Sequence, residues 1–166
     1  MRLNSESKIV QFDDLDHLGK GIGGIVVATN GCFDLLHVGH VRYLEQASDL
    51  GDHLVVGING DESVRALKGQ GRPINSELAR ARVIAGLECV SHVVIFPQVR
   101  ATEFLRRLHP QVWAKAADYS METIDSGERQ ILEAMGCRIV FLPVLSGIST
   151  TRIVSKAIET GCCIIP

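Results

Sequence analysis

Residues 29–40 read TNGCFDLLHVGH, and this stretch joins two elements of different periodicity. The residues directly before it, GIVVA at 24–28, form a short β-branched apolar run that predicts a buried strand. The segment after it repeats apolar residues at helical spacing, namely Val41, Leu44, Ala47 and Leu50. The stretch is therefore predicted to be a strand–loop–helix junction, and the rest of the chain is interpreted around it.

Two histidines stand at the predicted helix start, where His37 and His40 are three residues apart with Gly39 between them. A helix start offers unpaired N–H groups and partial positive charge, which together favour phosphate. Histidine side chains there can donate hydrogen bonds to phosphate oxygens, and glycine leaves room for a group to approach the backbone. A metal site is the alternative, but the sequence offers no third ligand nearby. The pattern therefore favours a phosphate-handling turn for a nucleoside triphosphate.

The composition is that of an ordinary globular protein. The 166 residues fit one domain, with 46% hydrophobic and 22% charged residues. A net charge of −2 without a basic run argues against a nucleic-acid partner. No apolar run is long enough to span a bilayer, and residues 1–7 lack the apolar core of a secretory signal. We therefore expect a cytoplasmic protein without a membrane partner.

The cysteines indicate reduced thiols. There are five of them, in no CxxC spacing: Cys32, Cys89, Cys137, Cys162 and Cys163. No paired ligands for structural zinc occur, so no protein-bound metal is predicted. Cys32 near His37 suggests a thiol nucleophile, but a cysteine after a strand is more often a small packed hydrophobe. The ending CIIP only superficially mimics a prenylation box, and chance is the favoured explanation.

Five apolar runs predict strands, at 24–28, 53–58, 92–96, 112–115 and 138–142. Helical segments are predicted after them, at 41–50, 62–67, 75–89, 102–109, 126–135 and 149–160. Such alternation is the signature of a doubly wound α/β domain with a parallel five-stranded, Rossmann-like sheet. We assign residues 25–160 to this single domain, 1–24 to a lead-in and 161–166 to a tail.

The residue pattern also predicts two local features, a turn before the first strand and the inner face of the helix at 75–89. The glycine-rich residues 19–24 precede the first strand, whereas a dinucleotide fingerprint follows one, so they are interpreted as a flexible turn. In the helix at 75–89, Val83, Ile84 and Leu87 are expected on the inner face. Arg80 and Arg82 are expected elsewhere on the surface.

Four polar segments follow the predicted strands, at 29–40, 59–61, 115–119 and 147–151. Ligands of such sheets bind outside the carboxyl ends of the strands, near the switch in strand order. Because the carboxyl ends of parallel strands share one edge, we expect these four segments to converge there. That edge is the predicted binding site.

Three further sets of residues are candidates for this binding site. The hydroxyls of Ser149, Thr150 and Thr151 open the last helix, where they can grip phosphate or simply cap the helix. Lys68 and Arg72 lie in a glycine-containing loop, which either closes over a polyphosphate with Arg80 or is merely solvated. Lys115 and Asp118 end the fourth strand, as an ion pair, a turn or part of the site.

Several motifs together resemble the cytidylyltransferase-like nucleotidyltransferase superfamily. They are HVGH at 37–40 and ISTT at 148–151. Within that superfamily the chain is most similar to the adenylyltransferase domain of ADP-heptose synthases, which joins ATP and a heptose 1-phosphate. The shared sequence segments include TNGCFDLLHVGH at 29–40, LKGxxRPIN at 67–75, ARxxVIAGLECV at 79–90 and KxxDY at 115–119. The similarity covers residues 8–158, nearly the whole chain.

The resemblance implies a HUP-type, Rossmann-like fold, in-line attack with Mg²⁺ carried by the triphosphate, release of pyrophosphate, and a homodimer. It implies catalytic roles for His37, His40, Lys68 and Thr150. The implied nucleotide-binding residues are Thr29, Asn30, Gly31, Cys32, Phe33, His37, Gly39, His40, Lys115, Asp118, Ile148, Ser149, Thr150 and Thr151. The implied acceptor-binding residues are Asp34, Asn59, Asp61, Lys68, Arg72 and Arg80, with Arg80 facing the acceptor phosphate.

The chain also departs from the heptose enzymes. It has Ala116-Ala117 where they usually carry two glycines, and residues 123–128 lack their glycine-arginine pattern. These differences bear on the acceptor more than on the reaction. A glycerol-3-phosphate cytidylyltransferase-like enzyme using CTP and a non-catalytic nucleotide-binding homologue remain alternatives. A redox Rossmann protein is disfavoured, because no fingerprint follows the first strand.

Overall fold

A six-stranded sheet forms the centre of the computed structural model, which describes residues 4–160. The predicted tail at 161–166, with Cys162 and Cys163, lies outside these residues. The strands are β1 (Ile9–Val10), β2 (Val26–Gly31), β3 (His53–Asn59), β4 (His92–Phe96), β5 (Val112–Ala116) and β6 (Arg138–Leu142). Their order is β1-β4-β3-β2-β5-β6, and every pairing is parallel. The predicted doubly wound α/β fold is confirmed.

Seven α-helices accompany the sheet within residues 4–160. They are α1 (Leu15–Gly21), α2 (Val38–Ser48), α3 (Asp61–Lys68), α4 (Glu77–Ala85), α5 (Thr102–Leu108), α6 (Ser126–Ala134) and α7 (Thr150–Glu159). Two short 3₁₀ turns, Ser5–Lys8 and Phe12–Asp14, lie on either side of β1. None of these helices joins the length and the apolar character that a bilayer crossing requires.

The sixth strand, β1, was not predicted. Ile9 and Val10 pair with Val93 and Val94, so part of the lead-in is the edge strand of the sheet. Two residues are too few for a strand period to be recognised in a sequence. The interpretation of 19–24 as a turn is also wrong in part, because α1 extends to Gly21. Gly19 lies against α5, where a Cβ would come within 2.2 Å of the Leu108 carbonyl oxygen.

Apolar side chains fill both faces of the sheet, as the alternation of β2 illustrates. Val27 belongs to the core cluster under α2 and α4, together with Leu44 and Ile84. Val26 and Ala28 belong to the cluster on the opposite face, which contains Trp113 and residues of α1, α5 and α6. In contrast, α7 has no buried residue. Its placement therefore depends on its ends more than on a packed face.

A crevice opens between β2 and β5, where the strand order switches. β2 pairs with β3 along its whole length, from Val26 opposite His53 to Gly31 opposite Ile58. It pairs with β5 only at Val27 and Ala28, opposite Val112 and Trp113. Beyond Ala28 the two strands part, so their carboxyl ends leave room for a ligand.

Candidate functional site

One cleft of about 760 Å³ lies at the carboxyl edge of the sheet. This volume is within the range of small-molecule sites, roughly 300–1,000 Å³. Residues from all four predicted polar segments line it, so the predicted convergence is confirmed. The predicted residues that line it are Asn30, Gly31, Cys32, Phe33, Asp34, His37, Gly39, His40, Asn59, Lys68, Arg72, Lys115, Asp118, Ile148, Ser149, Thr150 and Thr151.

The two imidazoles are stacked on each other. The ring centroids of His37 and His40 are 3.7 Å apart, and the ring planes differ by 17°. His37 also caps α2, because its Nδ1 accepts a hydrogen bond from the His40 backbone N–H at 3.4 Å. A neutral His37 then carries its proton on Nε2. The space that Gly39 provides is used by this ring, since a Cβ at Gly39 would be 3.0 Å from His37 Nδ1.

Burial is the main reason that both histidines favour the neutral form. Burial lowers the pKa of His37. Burial, together with the neighbouring His37, lowers the pKa of His40 to about 4, although the Leu35 carbonyl acts in the opposite direction. The Phe33 ring meets the His40 ring edge-on, with centroids 5.2 Å apart. At neutral pH each imidazole therefore has one N–H group and no positive charge.

The start of α7 is tied to the loop before α2. Ser149 is the N-cap of α7, and its hydroxyl accepts a hydrogen bond from the Arg152 N–H at 3.2 Å. The Thr150 hydroxyl donates to the backbone carbonyl of Leu35 at 3.3 Å. The two helix starts that the sequence marks for phosphate therefore face the same cleft.

Asp34 holds the loop that carries Arg72. Its carboxylate accepts hydrogen bonds from Arg72 Nη1 and the Ile74 N–H, both at 2.7 Å, and from the Asn75 N–H at 3.2 Å. Burial alone would raise the pKa of Asp34, but these hydrogen bonds outweigh it and lower the pKa below its ordinary value. Both oxygens are occupied, so the carboxylate orients the loop. Lys68 lies just before this loop and lines the cleft.

Arg80 is buried, and the prediction that it lies on the surface is wrong. Its side chain has no exposed area, and it does not line the cleft. Its guanidinium donates to the carbonyls of Cys32, Asn59 and Asn75 and to the Asp61 carboxylate, at 2.7 to 3.0 Å. On the same helix Val83, expected inside, is 51% exposed. Arg80 therefore fixes the strand ends from below, and Asp61 serves as its partner at the start of α3.

Thr29 is also buried rather than in the cleft. Its hydroxyl is 2.7 Å from Tyr43 Oη, which donates to the Ala114 carbonyl at 2.9 Å. Since a phenol has one proton, the Thr29 hydroxyl must be the donor to Tyr43. This chain of hydrogen bonds joins β2, α2 and β5. Tyr43 also lines the cleft and was not predicted from the sequence.

Lys115 lies in an aromatic setting at the end of β5. Its ammonium is 4.8 Å from the Trp113 ring centroid and 5.2 Å from that of Tyr119, and it donates to Asn30 Oδ1 at 3.3 Å. Burial lowers the pKa of Lys115, although the nearby Glu128 and Asp118 act in the opposite direction. The ion pairs formed among residues 4–160 do not include Lys115. Of the alternatives for Lys115 and Asp118, the ion pair is thus not formed, and both residues line the cleft.

The loop after β4 and residues 123–128 around the start of α6 form a wall that was not predicted from the sequence. Glu128 accepts a hydrogen bond from the Ala101 N–H at 2.8 Å, and Arg100 pairs with Asp125 at 3.3 Å. The rule that strand ends form the site would have pointed to residues 97–101, which follow β4. The other cleft residues outside the predicted set are Leu67, Val99, Ala116, Tyr119, Thr123, Ile124, Val144 and Leu145.

The cleft's thiol and carboxylates bear on nucleophile and metal chemistry. Burial raises the pKa of Cys32, which favours the thiol over the nucleophilic thiolate. Within the described part of the chain, no three His, Cys, Asp or Glu side chains are grouped to hold a metal ion. Asp118 lies exposed at the cleft wall.

Comparison with known proteins places these features in context. A family model described as cytidylyltransferase-like matches residues 28–156. The bifunctional protein HldE of Citrifermentans bemidjiense is 44% identical over 160 residues, which are 95% of this chain and 32% of the relative. The bifunctional protein HldE of Nitrobacter hamburgensis is 45% identical over 159 residues, 93% of this chain and 32% of the relative. The chain thus spans about a third of the length of these curated relatives.

Solved structures agree with this fold. A lipopolysaccharide core biosynthesis protein from Thermoplasma volcanium matches with a TM-score of 0.61 and 26% identity, over 74% of this chain and 98% of that one. A pantoate-beta-alanine ligase from Francisella tularensis, complexed with beta-gamma ATP and beta-alanine, has a TM-score of 0.56 over 91% of this chain and 77% of its own. At 12% identity, the second likeness concerns the fold alone.

Proposed function

The chain belongs to the cytidylyltransferase-like family, and we propose that it is a nucleotidyltransferase that joins ATP to a heptose 1-phosphate and releases pyrophosphate. The observation that carries the proposal is the shared cleft of the stacked His37–His40 pair and the Ser149–Thr150 helix start. Identity of 44% to a bifunctional protein HldE, and the resemblance to ADP-heptose synthases, support ATP and heptose 1-phosphate as substrates.

In this reaction an oxygen of the sugar phosphate attacks the α-phosphorus of the triphosphate. A new phosphorus–oxygen bond forms, the bond to the β-phosphate bridging oxygen breaks, and pyrophosphate leaves with the electron pair. Charge builds on the oxygens of the attacked phosphorus and on the leaving group. The neutral His37 and His40 supply N–H donors to these oxygens, and one well-placed donor is worth about 3–4 kcal/mol.

The other cleft residues bind the phosphates of the triphosphate and compensate their negative charge. The N–H groups at the start of α7, with the Ser149 and Thr150 hydroxyls, suit the β- and γ-phosphates. Lys68, just before the loop that Asp34 orients, adds positive charge at the cleft rim, and Arg72 in that loop lines the cleft while paired with Asp34. Arg80 and Asp61 support this arrangement without touching the ligand, in contrast to the acceptor contact that the resemblance implies.

Magnesium is proposed to arrive with the triphosphate. Mg²⁺ usually keeps several waters and binds through substrate phosphates and one or two carboxylates. The donors present fit this mode: the Asp34 oxygens are taken by Arg72 and backbone N–H groups, while Asp118 is an exposed carboxylate at the cleft wall. When bound, the ion would neutralise charge that develops on the phosphates.

A pyrophosphate-release assay tests the proposal. The purified chain is incubated with Mg²⁺ and each pairing of ATP or CTP with heptose 1-phosphate or glycerol 3-phosphate. We expect release with ATP and heptose 1-phosphate, and a loss of at least about 100-fold in His40→Ala. Release only with CTP and glycerol 3-phosphate would instead identify the cytidylyltransferase alternative. Tight ATP binding without turnover of any acceptor would identify a non-catalytic homologue.

Two properties implied earlier complete the proposal. A homodimer follows from the family resemblance, and sedimentation of the purified chain measures it directly. We also propose a cytoplasmic location, and fractionation of cells that express the protein tests it.

A further inference from the structure

An asparagine at the crevice between β2 and β5 accepts two hydrogen bonds on one atom. Asn30 Oδ1 lies 3.1 Å from Trp113 Nε1 and 3.3 Å from Lys115 Nζ. The register explains the contact: Ala28 pairs with Trp113, and Asn30 and Lys115, each two residues further on, lie on the same face of the sheet as that pair. The Trp113 side chain is fully buried beneath them.

These two neighbours fix the orientation of the Asn30 amide. An indole N–H can only donate, and an ammonium has three donors and no acceptor. The amide atom that faces both must therefore be the oxygen, and the –NH₂ group must point the other way. Among residues 4–160, Asn30 Nδ2 forms no hydrogen bond to a protein acceptor. It is also not one of the fully buried polar atoms of these residues that lack a hydrogen-bond partner, and Asn30 lines the cleft. The nitrogen is thus an oriented donor accessible from the cleft.

Lys115 contributes spare donors beside it. One of its three N–H bonds is directed to Asn30, and Lys115 forms no ion pair among the described residues. Glu128 and Asp118 are close enough to favour the charged ammonium but do not pair with it. A cation and an amide donor, side by side and unpaired, form the chemistry that recognises a phosphate oxygen.

We propose that Trp113 is a positioning residue, which through Asn30 directs the Asn30 amide and the Lys115 ammonium onto one phosphate group of the substrate. The proposal rests on the proposed nucleotidyltransferase function for the identity of that phosphate. It belongs either to the triphosphate or to the phosphomonoester acceptor. The buried indole itself touches no ligand.

Calorimetric binding of two inorganic probes tests the proposal independently of turnover. Tripolyphosphate represents the triphosphate and orthophosphate represents the phosphomonoester. Trp113→Phe keeps the ring but removes its N–H, so it should weaken binding of one probe by about three- to tenfold, the effect of one neutral hydrogen bond. Asn30→Asp replaces the donor by a carboxylate oxygen and should weaken the same probe by about tenfold or more. The affected probe identifies the source of the phosphate.

A double-mutant cycle separates positioning from packing. If Trp113 acts through Asn30, Trp113→Phe should have no further effect on binding in an Asn30→Ala background. Phe104→Leu, in the same core cluster, is the matched control that should lower the melting temperature without changing binding. The proposal is overturned if Trp113→Phe has equal effects in both backgrounds, or if Asn30→Asp binds both probes like the wild type. Pyrophosphate release is measured in a separate assay. If the chain releases no pyrophosphate, the binding measurements still test the role of Trp113.

Discussion

Thr150 donates a hydrogen bond to the backbone carbonyl of Leu35 at 3.3 Å and thereby joins segments 115 residues apart in the sequence. The contact matters because α7 has no buried residue to hold it in place. It brings the start of α7 to the loop that precedes the stacked histidines. A phosphate chain bound in the cleft can therefore be gripped by both helix starts at once.

Replacing this hydroxyl tests that connection. Thr150→Val keeps the side-chain shape but removes the donor, so the free energy of unfolding should fall by about 0.5–1.5 kcal/mol. Binding of ATP should weaken about tenfold, because the start of α7 is no longer held. Calorimetry and urea unfolding measure the two effects. Thr160→Val, at the other end of α7, should leave ATP binding unchanged; equal binding losses in both variants would argue against the connection.

The space at Gly39 is required by the His37 ring. A Cβ there would be 3.0 Å from His37 Nδ1, so Gly39→Ala should push the ring off its stack with His40. We expect kcat/KM for pyrophosphate release to fall about tenfold or more, while alanine's helix propensity limits any loss of stability. Gly21→Ala is the control, since nothing lies within 4 Å of its Cβ position. An unchanged kcat/KM in Gly39→Ala would show that the stack is dispensable.

The half-buried His40 should make stability depend on pH. Its pKa in the folded protein is about 4, below the ordinary 6.5, so the unfolded chain binds more protons between these values. The free energy of unfolding should therefore fall as the pH drops from 6.5 to 4, with an upper limit of roughly 3 kcal/mol from this group. Urea unfolding of His40→Gln should show a shallower decline. A decline in His40→Gln as steep as that of the wild type would contradict the prediction.

The Asp34 carboxylate should control the loop that carries Arg72. Asp34→Asn weakens its charge-assisted hydrogen bonds, so the free energy of unfolding should fall by about 1–3 kcal/mol at neutral pH. The difference in the free energy of unfolding between Asp34→Asn and the wild type should shrink below pH 3.8, because Asp34 is then protonated in the unfolded wild-type chain. Trypsin should cut faster after Lys68. Glu62→Gln, an exposed carboxylate on α3, is the control, and unchanged cleavage in Asp34→Asn would contradict the role.

Arg80 should contribute to stability more than to substrate binding. Arg80→Lys cannot reproduce hydrogen bonds to four oxygens, so the free energy of unfolding should fall by about 3 kcal/mol. The exposed Arg82→Lys should be near neutral. A normal unfolding curve for Arg80→Lys, combined with a raised KM for the acceptor, would instead support direct contact with the acceptor phosphate.

Much of the architecture could be predicted from local patterns. The five longer strands carry apolar runs that only a buried parallel strand requires, and the phosphate motifs follow two of them. The edge strand β1 could not be predicted, because two residues are too few to show the alternation of a strand. They form a strand only because they pair with β4. The inner face of α4 was predicted only in part. Ile84 is buried as expected, but Val83 is exposed, and Arg80 is buried because its guanidinium donates to carbonyls at the strand ends.

The sequence by itself determined at which edge of the sheet the cleft lies and which residue types line it, because parallel strands bring their carboxyl ends together whatever their order. Only the tertiary structure decided which side chains reach the cleft. Thr29 turns inward to Tyr43, while Asn30, one residue later on the opposite face, meets Trp113 and Lys115 from β5. The physical reason is that a side chain's partners come from strands and helices far away in the chain. No local pattern records those neighbours.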